Sequence, residues 1–354
     1  MSETSKMFVE AASRVLQDWC TKPAYEAAEA GGIHADLWQK LEEGGFTTLL
    51  VPENQGGVGA SLADAVELLR LAGRHGAPVP LAETMVASWV LSQVGVPAVR
   101  GPLTLALGAD GSSWKLSNSS GKAKLTGSQV DVPWGLSATV VVVAQQGEEA
   151  VVGVVEPGRI SGTGRSNIAG EPRDNLAARA LGITAMAATR SISRDQVLRH
   201  IAIARAGMMV GALGHALEMS VRYVRDRKQF GRPLGKFQAV QQQLAVLAGE
   251  VAASSAITDA AVARVDQWDG DLLVAAARAR LADAVDKVSI AHQVHGAIGF
   301  TREYALHLNT RRLWAWRDEY GSALHWREML GRHFIGTPAD DLWPRLAAVG
   351  REEG

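Results

Sequence analysis

Residues 100–190 interrupt an otherwise helical chain with short runs of apolar and β-branched residues. The runs LTLAL, KAKLTG, TVVVVA and AVVGVVE are separated by the turn-forming stretches GADGSS, NSSG, QQGEE and EPG. Short runs at this spacing, with turn residues between them, favour an antiparallel barrel or sandwich over a parallel α/β sheet. This feature predicts a small β domain between two helical regions.

The region before the strands has helical periodicity. Apolar Leu62, Val66 and Leu69 recur at a spacing of three to four residues, which places them on one helical face. The stretch VPENQGGVGAS precedes them and contains a proline and three glycines, which break a helix. Its last residue, Ser61, is an N-cap candidate for the helix that follows.

The region after the strands is helical again and contains a stripe of small residues. A glycine inside a helix costs up to about 1 kcal/mol relative to alanine, so the stripe predicts the close approach of another helix. Segments 237–266 and 270–296 are rich in alanine, leucine and valine, as bundle helices require. The stripe consists of Ala204, Gly207, Gly211 and Gly214.

Together these patterns predict an α+β fold with three domains. We expect an N-terminal helical domain over residues 1–98, a small central β barrel or sandwich over 99–192, and a C-terminal four-helix bundle with a tail over 193–354. A chain of 354 residues is long enough for several domains, because single cores stop growing near about 250–300 residues.

Charge and cysteine content narrow the function classes. Lysine and arginine number 36 against 37 acidic residues, whereas nucleic-acid-binding domains usually carry a net basic field. The single cysteine, Cys20, excludes an intramolecular disulfide and fits a reducing compartment. The amphipathic N-terminus lacks the apolar core of a secretion signal, and no stretch comes near the roughly 18 uncharged apolar residues of a membrane span. We expect a cytoplasmic protein without nucleic-acid partners.

Two residue clusters predict structure rather than chemistry. His292 and His295 are three residues apart, but no carboxylate or cysteine stands at ligand spacing from them, so we expect no metal site. Trp314, Trp316 and Trp326 lie close together in the sequence, and packing in a core or a subunit interface is the expected role of such a group.

One local run of cations stands out against the balanced charge. The sequence RDRKQFGRPL, residues 225–234, places Arg225, Arg227, Lys228 and Arg232 around Phe230. Nucleic acid, cofactor phosphates and plain solvent are three candidate partners of such a run. Cations at the end of a helix also complement its dipole, and solvated surface pairs contribute only about 0–1 kcal/mol.

Three motifs resemble segments of the acyl-CoA dehydrogenase family and follow each other in the same order. VPENQGGVGAS resembles a loop of the family's N-terminal domain. RDRKQFGRPLGKFQAVQQQLA is similar to the end of a helix and the loop after it, and QVHGAIGFTREYALH resembles the Q-x-x-G-G-x-G motif near the C-terminus. The chain is therefore identified as a member of this family, which implies FAD as cofactor and an acyl-CoA thioester as substrate.

The resemblance also implies which residues hold FAD. In the family the cofactor lies between subunits, and its adenosine diphosphate half meets the segment matching 227–238 and the Q-x-x-G-G segment of a neighbouring chain. Arg227 then meets the pyrophosphate, because a guanidinium presents several donors in a fixed fork. Arg225, Lys228 and Arg232 are left as solvated cations. The other positions matched to cofactor contacts are Gln229, Phe230, Gln238, Gln293, Gly296 and Ser322.

The catalytic base is missing from its usual places. Desaturation in this family needs a base for the α-proton, a flavin N5 that accepts the β-hydride, and hydrogen bonds to the thioester carbonyl. The family base is a glutamate that stands before a Gly-Thr or at the start of the first helix of the third region. Tyr320 and Ile201 occupy those positions here, and tyrosine, with a pKa near about 10, is a poor base at neutral pH.

Glu319, beside Asp318 and one residue from the usual position, is the candidate base. A carboxylate in a desolvated pocket suits a base that works near neutrality. An ordinary ion pair with Arg317 or Arg312 is the competing interpretation.

Further departures from the family lie in the β region. LTLALGADGSS stands where a T-E-P-x-x-G-S-D stretch is expected, and QVDVPWG stands where W-I-T-N is expected, so Pro133 replaces a threonine that bonds the flavin N5 region. Proline offers neither a hydroxyl nor a backbone N–H. Trp134 either stacks on the isoalloxazine ring or is a core residue, which is the commoner role in a β domain. Ala297 replaces the second glycine of Q-x-x-G-G.

These departures leave two functional hypotheses. In the first, the chain forms a homo-oligomer that oxidises an acyl-CoA to its 2,3-enoyl form with Glu319 as base, and passes electrons to an electron-transferring flavoprotein. In the second, the chain completes the FAD site of another acyl-CoA dehydrogenase subunit in an α2β2 assembly and supplies no base. The second hypothesis is similar to the shorter, degenerate subunits of some bacterial enzymes that act on steroid side chains.

Overall fold

A computed structural model describes residues 3–108, 114–119 and 122–349. The helical periodicity of the first region is confirmed, and α5 is buried over almost its whole length. The helices of this region are α1 (Glu3–Trp19), α2 (Lys22–Glu29), α3 (Ala35–Glu43), α4 (Leu62–Arg74) and α5 (Leu81–Gln93), with 3-10 turns at Phe46–Thr48 and Glu53–Gln55.

Ser61 caps helix α4 by a reciprocal pair of hydrogen bonds, which confirms its predicted role. The Asp64 N–H donates to the Ser61 hydroxyl oxygen at 3.2 Å, and the Ser61 N–H donates to an Asp64 carboxylate oxygen at 3.2 Å. This capping box satisfies backbone donors that the start of a helix otherwise leaves without partners.

The strands of the central region form two four-stranded sheets. One sheet has the order β1 (Leu103–Ala106), β4 (Thr139–Gln146), β5 (Glu149–Val155), β8 (Ala185–Thr189). The other has the order β2 (Lys115–Ser119), β3 (Lys122–Pro133), β7 (Arg173–Gly182), β6 (Ser161–Thr163). All pairs are antiparallel except β1 with β4, which are parallel with Leu103 opposite Thr139.

Side chains from both sheets share one core, so the β region is a sandwich. Leu116 and Leu125 of one sheet and Val140 and Val142 of the other belong to a single buried cluster. The first six residues of β4 are all buried, which explains why its sequence is a continuous apolar run rather than an alternating one. The expected order of a helical region, β sheets and a second helical region is confirmed.

The third region consists of seven described helices, with a small hairpin between the first and the second. α8 lies against both α7 and α11. The helices are α6 (Arg194–Asp226), α7 (Gln238–Ala263), α8 (Gly270–Lys287), α9 (Ser289–His295), α10 (Leu306–Trp316), α11 (Ala323–Phe334) and α12 (Ala339–Ala348), and β9 (Lys228–Gln229) pairs with β10 (Arg232–Pro233) between α6 and α7.

By its internal contacts the chain divides into two compact units. The first contains residues 1–68 and 77–201, and the second contains residues 69–76 and 202–354. The boundaries expected at 98 and 192 fall in the connections between α5 and β1 and between β8 and α6, whereas this division runs through α4 and α6.

Two glycines let the last turns of α4 approach α6 within the second unit. A Cβ added to Gly211 would lie 1.9 Å from the Arg70 carbonyl oxygen, and a Cβ added to Gly73 would lie 1.8 Å from that of Met208. Neither atom fits, so the small-residue stripe marks a helix crossing at Gly211, as predicted. A Cβ on Gly214 would meet nothing within 4 Å.

Two of the described helices are long and apolar enough, by length and composition alone, to cross a membrane. No such stretch was expected from the sequence. In α6, 78% of the apolar window is buried inside the protein, and in α7 the fraction is 22%. Core helices pass the same test, so one or two such helices give weak support for a membrane span.

Candidate functional site

The cationic segment after α6 folds into a tight β-hairpin. β9 and β10 pair in antiparallel register, and the two residues between them, Phe230 and Gly231, have φ values of 53° and 78°. Positive φ at both central residues is typical of the type I′ turn, whose twist matches that of the flanking strands. At the base of the hairpin, the Leu234 N–H donates to the Arg227 carbonyl oxygen at 2.9 Å.

The hairpin presents polar side chains to solvent. Arg227 and Gln229 are exposed, and their side chains make no hydrogen bond or ion pair with any residue that the structure describes. Phe230 is 88% exposed at the tip. In contrast, the Arg232 guanidinium lies over the Phe237 ring, 4.1 Å from its centre.

The turn at the end of α9 requires a glycine at residue 296. Gly296 has φ 65° and ψ −145°, a combination that residues with a side chain strongly disfavour. A Cβ there would meet nothing within 4 Å, so backbone conformation rather than crowding explains the glycine. Gln293 and, at the start of α7, Gln238 are exposed, and their amides make no hydrogen bond within the described ranges.

Aromatic contacts join the two motifs within one protomer. The Tyr223 ring stacks on the His295 ring with 4.5 Å between centroids. The Tyr223 carbonyl oxygen accepts the Arg227 N–H at 2.8 Å, and His295 directly precedes Gly296. The residues that support the two segments are thus in contact in a single chain. The expectation that FAD lies between protomers, with the 227–238 segment and the Q-x-x-G segment coming from different chains, stays a prediction.

The exposed groups fit the adenosine diphosphate half of FAD by their chemistry. The Arg227 guanidinium offers several N–H donors to a diphosphate, and the exposed amides of Gln229 and Gln293 can donate to and accept from an adenine or ribose edge. At Gly296 the missing side chain leaves the backbone open to a ligand.

The candidate base, Glu319, forms a buried ion pair with Arg205. A Glu319 carboxylate oxygen lies 3.1 Å from the Arg205 guanidinium, and the two side chains are 13% and 2% exposed. The same guanidinium lies over the rings of Trp316 and Tyr320, at 5.1 Å and 5.8 Å from their centres. Arg312 and Arg317 were the partners expected from the sequence for this carboxylate, and the observed partner is Arg205.

A second buried arginine holds the backbone of the same segment. One terminal nitrogen of Arg278 donates to the carbonyl oxygens of Trp316, Arg317 and Glu319 at 3.1, 3.1 and 2.6 Å, and the other lies 3.1 Å from the Met209 sulfur. Burial and the nearby Arg205 charge lower the pKa of Arg278 to about 10, so it remains a cation at neutral pH. Arg278 therefore caps the carbonyl end of α10.

The residues after Glu319 form a tight turn into α11. Tyr320 and Gly321 have φ values of 56° and 114°. A Cβ on Gly321 would lie 2.7 Å from the Trp326 indole, whose N–H donates to the Gly321 carbonyl oxygen at 3.0 Å. Ser322, a candidate cofactor contact, is the N-cap of α11, and its hydroxyl oxygen accepts the His325 N–H at 3.2 Å.

Pro133 and Trp134 have contacts within the β region. The Pro133 carbonyl oxygen accepts the Thr104 hydroxyl at 2.5 Å. Trp134, 1% exposed, lies with its ring 5.0 Å from the Arg173 guanidinium, which pairs with buried Glu171 at 3.1 Å. The core interpretation of Trp134 is confirmed. Residues 109–113, the second half of LTLALGADGSS, lie outside the described residues.

The histidines of the third region make contacts of other kinds. His292 Nε2 lies 3.0 Å from the Thr310 hydroxyl, and its ring stacks on Phe300 at 4.7 Å. His215 faces Glu218 at 3.8 Å. Across residues 3–108, 114–119 and 122–349 no three His, Cys, Asp or Glu side chains come together in a group that could hold a metal ion.

Sequence reasoning did not select Arg205 or Arg278. Each stands in an apolar helical run, IAIARAGMM and VAAARARLA. An arginine surrounded by apolar residues is rarely buried unless it is paired, so such a position is itself a signal of a buried polar cluster.

Comparison with protein families gives two matches, which lie on either side of the β sandwich. The family model described as acyl-CoA dehydrogenase, N-terminal domain, matches residues 2–102, and the one described as acyl-CoA dehydrogenase, C-terminal domain, matches residues 191–318.

Individual proteins resemble the chain over most of its length. Acyl-CoA dehydrogenase FadE28 of Mycobacterium tuberculosis is 30% identical over 318 residues, which are 83% of this chain and 91% of that protein. The ChsE4–ChsE5 complex from Mycobacterium tuberculosis contains a chain of the same fold, with a TM-score of 0.85, 24% identity, and coverage of 96% of this chain and 99% of that one. The Tcur3481–Tcur3483 steroid ACAD contains a chain of the same fold with a TM-score of 0.83 and 26% identity. The match covers 98% of this chain and 99% of that one.

Proposed function

This chain belongs to the acyl-CoA dehydrogenase family, and we propose that it works as a subunit of an FAD-dependent assembly that desaturates an acyl-CoA between its α- and β-carbons. In this proposal the chain grips the adenosine diphosphate half of FAD and supplies no catalytic base. The base and the pocket for the flavin ring belong to a second acyl-CoA dehydrogenase subunit.

The observation that carries the proposal is the buried pair of Arg205 and Glu319. The Glu319 carboxylate lies 3.1 Å from the Arg205 guanidinium, and both side chains are largely buried. Removing one partner of a buried ion pair costs about 3–5 kcal/mol, because the other charge is left without its counter-charge. Glu319 is therefore better suited to hold Arg205 in place than to leave that pair and meet a substrate.

The grip on the cofactor is proposed for Arg227, Gln229, Gln293 and Gly296. Their side chains and backbone are exposed, and the Tyr223–His295 contact brings their two segments together in one chain. A single protomer can thus offer both segments to one dinucleotide. Phe230, Gln238 and Ser322 complete the proposed contact set.

FAD, when bound, supplies the acceptor for the β-hydride. The proposed substrate is an acyl-CoA thioester, with steroid side chains among the candidate acyl groups, and the proposed electron acceptor is an electron-transferring flavoprotein. The two-component names of the ChsE4–ChsE5 complex and the Tcur3481–Tcur3483 protein support a partner subunit of the same family. A cytoplasmic location completes the proposal.

A second candidate function is an autonomous, homo-oligomeric dehydrogenase with Glu319 as base. It is favoured by the position of Glu319, which is largely buried and lies two residues before Gly321. In that case the Arg205 guanidinium would have to leave the carboxylate during each turnover.

The two candidates are separated by expressing the chain alone and together with a homologous subunit encoded by an adjacent gene. We expect the chain alone to hold little flavin and to show no desaturation, and the complex to be flavin-loaded and active. In the complex, the double variant Arg205→Met/Glu319→Gln should keep kcat within about twofold of wild type. A chain that is yellow and active alone, and that loses activity on Glu319→Gln, would favour the second candidate.

Variants of Arg227 and Arg225 test the proposed contact with FAD. Arg227→Ala should weaken FAD binding by about tenfold or more, because a charge-assisted hydrogen bond is lost. Arg225→Ala, an equally exposed cation two residues earlier, is the matched control and should leave the flavin-to-chain ratio unchanged. Equal flavin loss in both variants would show a general charge effect and contradict the assignment of Arg227.

A further inference from the structure

We propose that His295 is a positioning residue for the dinucleotide: it fixes the Gln293–Gly296 turn against the end of α6, so that Arg227 and Gln293 address one ligand. This inference rests on the proposed role of the chain in holding the adenosine diphosphate half of FAD.

His295 lies in a box of aromatic rings. Its side chain is 3% exposed, the Tyr223 ring stacks on it at 4.5 Å with 27° between the planes, and Tyr304 contacts it at 4.8 Å. The two tyrosine rings also meet each other edge-on at 6.1 Å. Because each ring contacts the other two, none can tilt without disturbing its neighbours, and aromatic pairs of this kind add stability beyond that of the buried area alone.

A hydrogen bond fixes the rotation of the imidazole ring. His295 Nδ1 lies 2.6 Å from the Ala291 carbonyl oxygen, one helical turn earlier. Since a carbonyl can only accept, Nδ1 carries the hydrogen and Nε2 is the basic nitrogen. Burial lowers the pKa of His295, while the Ala291 hydrogen bond opposes that effect, and the nearby His292 lowers it further. The ring is therefore neutral at physiological pH.

On one side, the box leads to Arg227. Tyr223 lies one helical turn before it, and the Arg227 N–H donates to the Tyr223 carbonyl oxygen at 2.8 Å. The end of α6, which Arg227 directly follows, is thus tied to the ring that stacks on His295.

On the other side, the box leads to the glycine turn. His295 directly precedes Gly296, and a Cβ on Gly299 would lie 2.9 Å from the His295 Cβ, so the chain folds back closely over this residue. Loss of the imidazole would release the turn from α6 and leave every proposed ligand contact chemically intact. An experiment can therefore detect the role of His295 as a loss of affinity in a variant that keeps every proposed contact residue.

The experiment uses the complex of the chain with its partner subunit, freed of flavin, with the chain as wild type or as one of four variants. His295→Ala removes the stack, and His295→Phe keeps an aromatic ring in the box. Tyr223→Leu removes the stack from the other side. His333→Ala, at an exposed position of α11, is the matched control. Affinities for ADP and for FAD are measured by titration calorimetry, and urea unfolding gives the folded fraction of each protein.

We expect wild type and His333→Ala to bind ADP equally. His295→Ala and Tyr223→Leu should bind it about tenfold more weakly, a change of about 1.4 kcal/mol. His295→Phe should stay within about threefold of wild type, because it keeps the ring contacts. Rescue by phenylalanine distinguishes positioning from a general loss of stability.

The outcomes separate this inference from the proposed function. If wild type binds ADP and either folded stack-breaking variant binds it with unchanged affinity, His295 is not a positioning residue and the proposed function stands. If wild type binds neither ADP nor FAD, the dinucleotide grip is wrong and the inference fails with it. Should His295→Ala fail to fold, Tyr223→Leu and the phenylalanine variant decide the question.

Discussion

The Arg205 guanidinium lies 3.1 Å from the Glu319 carboxylate and at the same time over the Trp316 ring, so one buried cation joins α6 to the end of α10. Arg278 holds the backbone carbonyls of that same end. Arg205, Arg278 and Glu319 thus form a buried polar cluster at residues 316–320. This is the segment in which the family resemblance places the catalytic base. Four predictions on stability follow from this cluster and from two other packing features.

The Arg205–Glu319 pair should show strong energetic coupling. Arg205→Met and Glu319→Gln should each lower the free energy of unfolding by about 3 kcal/mol, because each leaves a buried charge facing a neutral group. The double variant should be less destabilised than the sum of the two, with a coupling of about 1–3 kcal/mol. Urea unfolding of the four proteins measures the cycle, and strictly additive losses would show that the pair contributes nothing.

Arg278 should matter far more to stability than its neighbour Arg280. Arg278→Met removes the donor for three backbone carbonyls and should cost about 3 kcal/mol or more. Arg280 pairs with Glu250 on a partly exposed part of α8, so Arg280→Met should cost under about 1 kcal/mol. Thermal and urea unfolding compare the two variants. Similar losses would contradict the assignment of Arg278 as the cap of α10.

Two glycines of α6 should respond to alanine in opposite directions. At Gly211 a methyl group would overlap the Arg70 carbonyl, so Gly211→Ala should destabilise the protein by about 2 kcal/mol or more. At Gly214 the same methyl group meets open space, and Gly214→Ala should stabilise by about 0.5–1 kcal/mol because alanine favours the helix. Chemical denaturation of both variants tests this. Equal effects would mean that α4 and α6 do not cross at Gly211.

Stability should fall as the pH drops below about 6.5, partly because of His75 and His215. Burial, followed by the positive charge of Arg74, lowers the pKa of both histidines in the folded protein. Well above pH 6.5, both imidazoles are neutral in the folded and in the unfolded protein. Below it the unfolded chain takes up protons first, so the free energy of unfolding decreases by up to about 1.4 kcal/mol per pH unit for each histidine.

The variant His215→Gln identifies the contribution of one histidine. Between pH 8 and pH 5 its free energy of unfolding should decline less steeply than that of wild type. The slopes should differ by up to about 1.4 kcal/mol per pH unit, the contribution of one proton. His333→Ala, which alters an exposed histidine, should follow the wild-type curve. A His215→Gln curve parallel to that of wild type would rule out a role for His215.

Local signals in the sequence predicted the elements but not all of their pairings. Turn residues and β-branched runs identified the strands, and Ser61 with Asp64 marked the start of α4. The parallel pairing of β1 with β4 was not predicted, because it joins segments separated by β2 and β3 and depends on how the whole sandwich closes. No local pattern in either strand encodes that choice.

In the candidate site, sequence motifs selected residues that the structure exposes, whereas an ion pair that depends on burial was missed. Arg227, Gln293 and Gly296 were selected by motif, and the structure leaves them open to a ligand. The partner of Glu319 was missed because sequence proximity favoured Arg317 and Arg312. The actual partner comes from a helix more than a hundred residues earlier, and only its position in an apolar run hinted at burial.

The turn at Phe230 and Gly231 has a consequence for how this protein can diverge. With two residues between paired strands, one inserted residue would demand another turn geometry and slip the pairing of Lys228–Gln229 with Arg232–Pro233. Substitution of Phe230 by asparagine or glycine is therefore compatible with the turn, because both residues tolerate its backbone angles. An insertion in this turn would change the direction in which Arg227, just before the hairpin, extends.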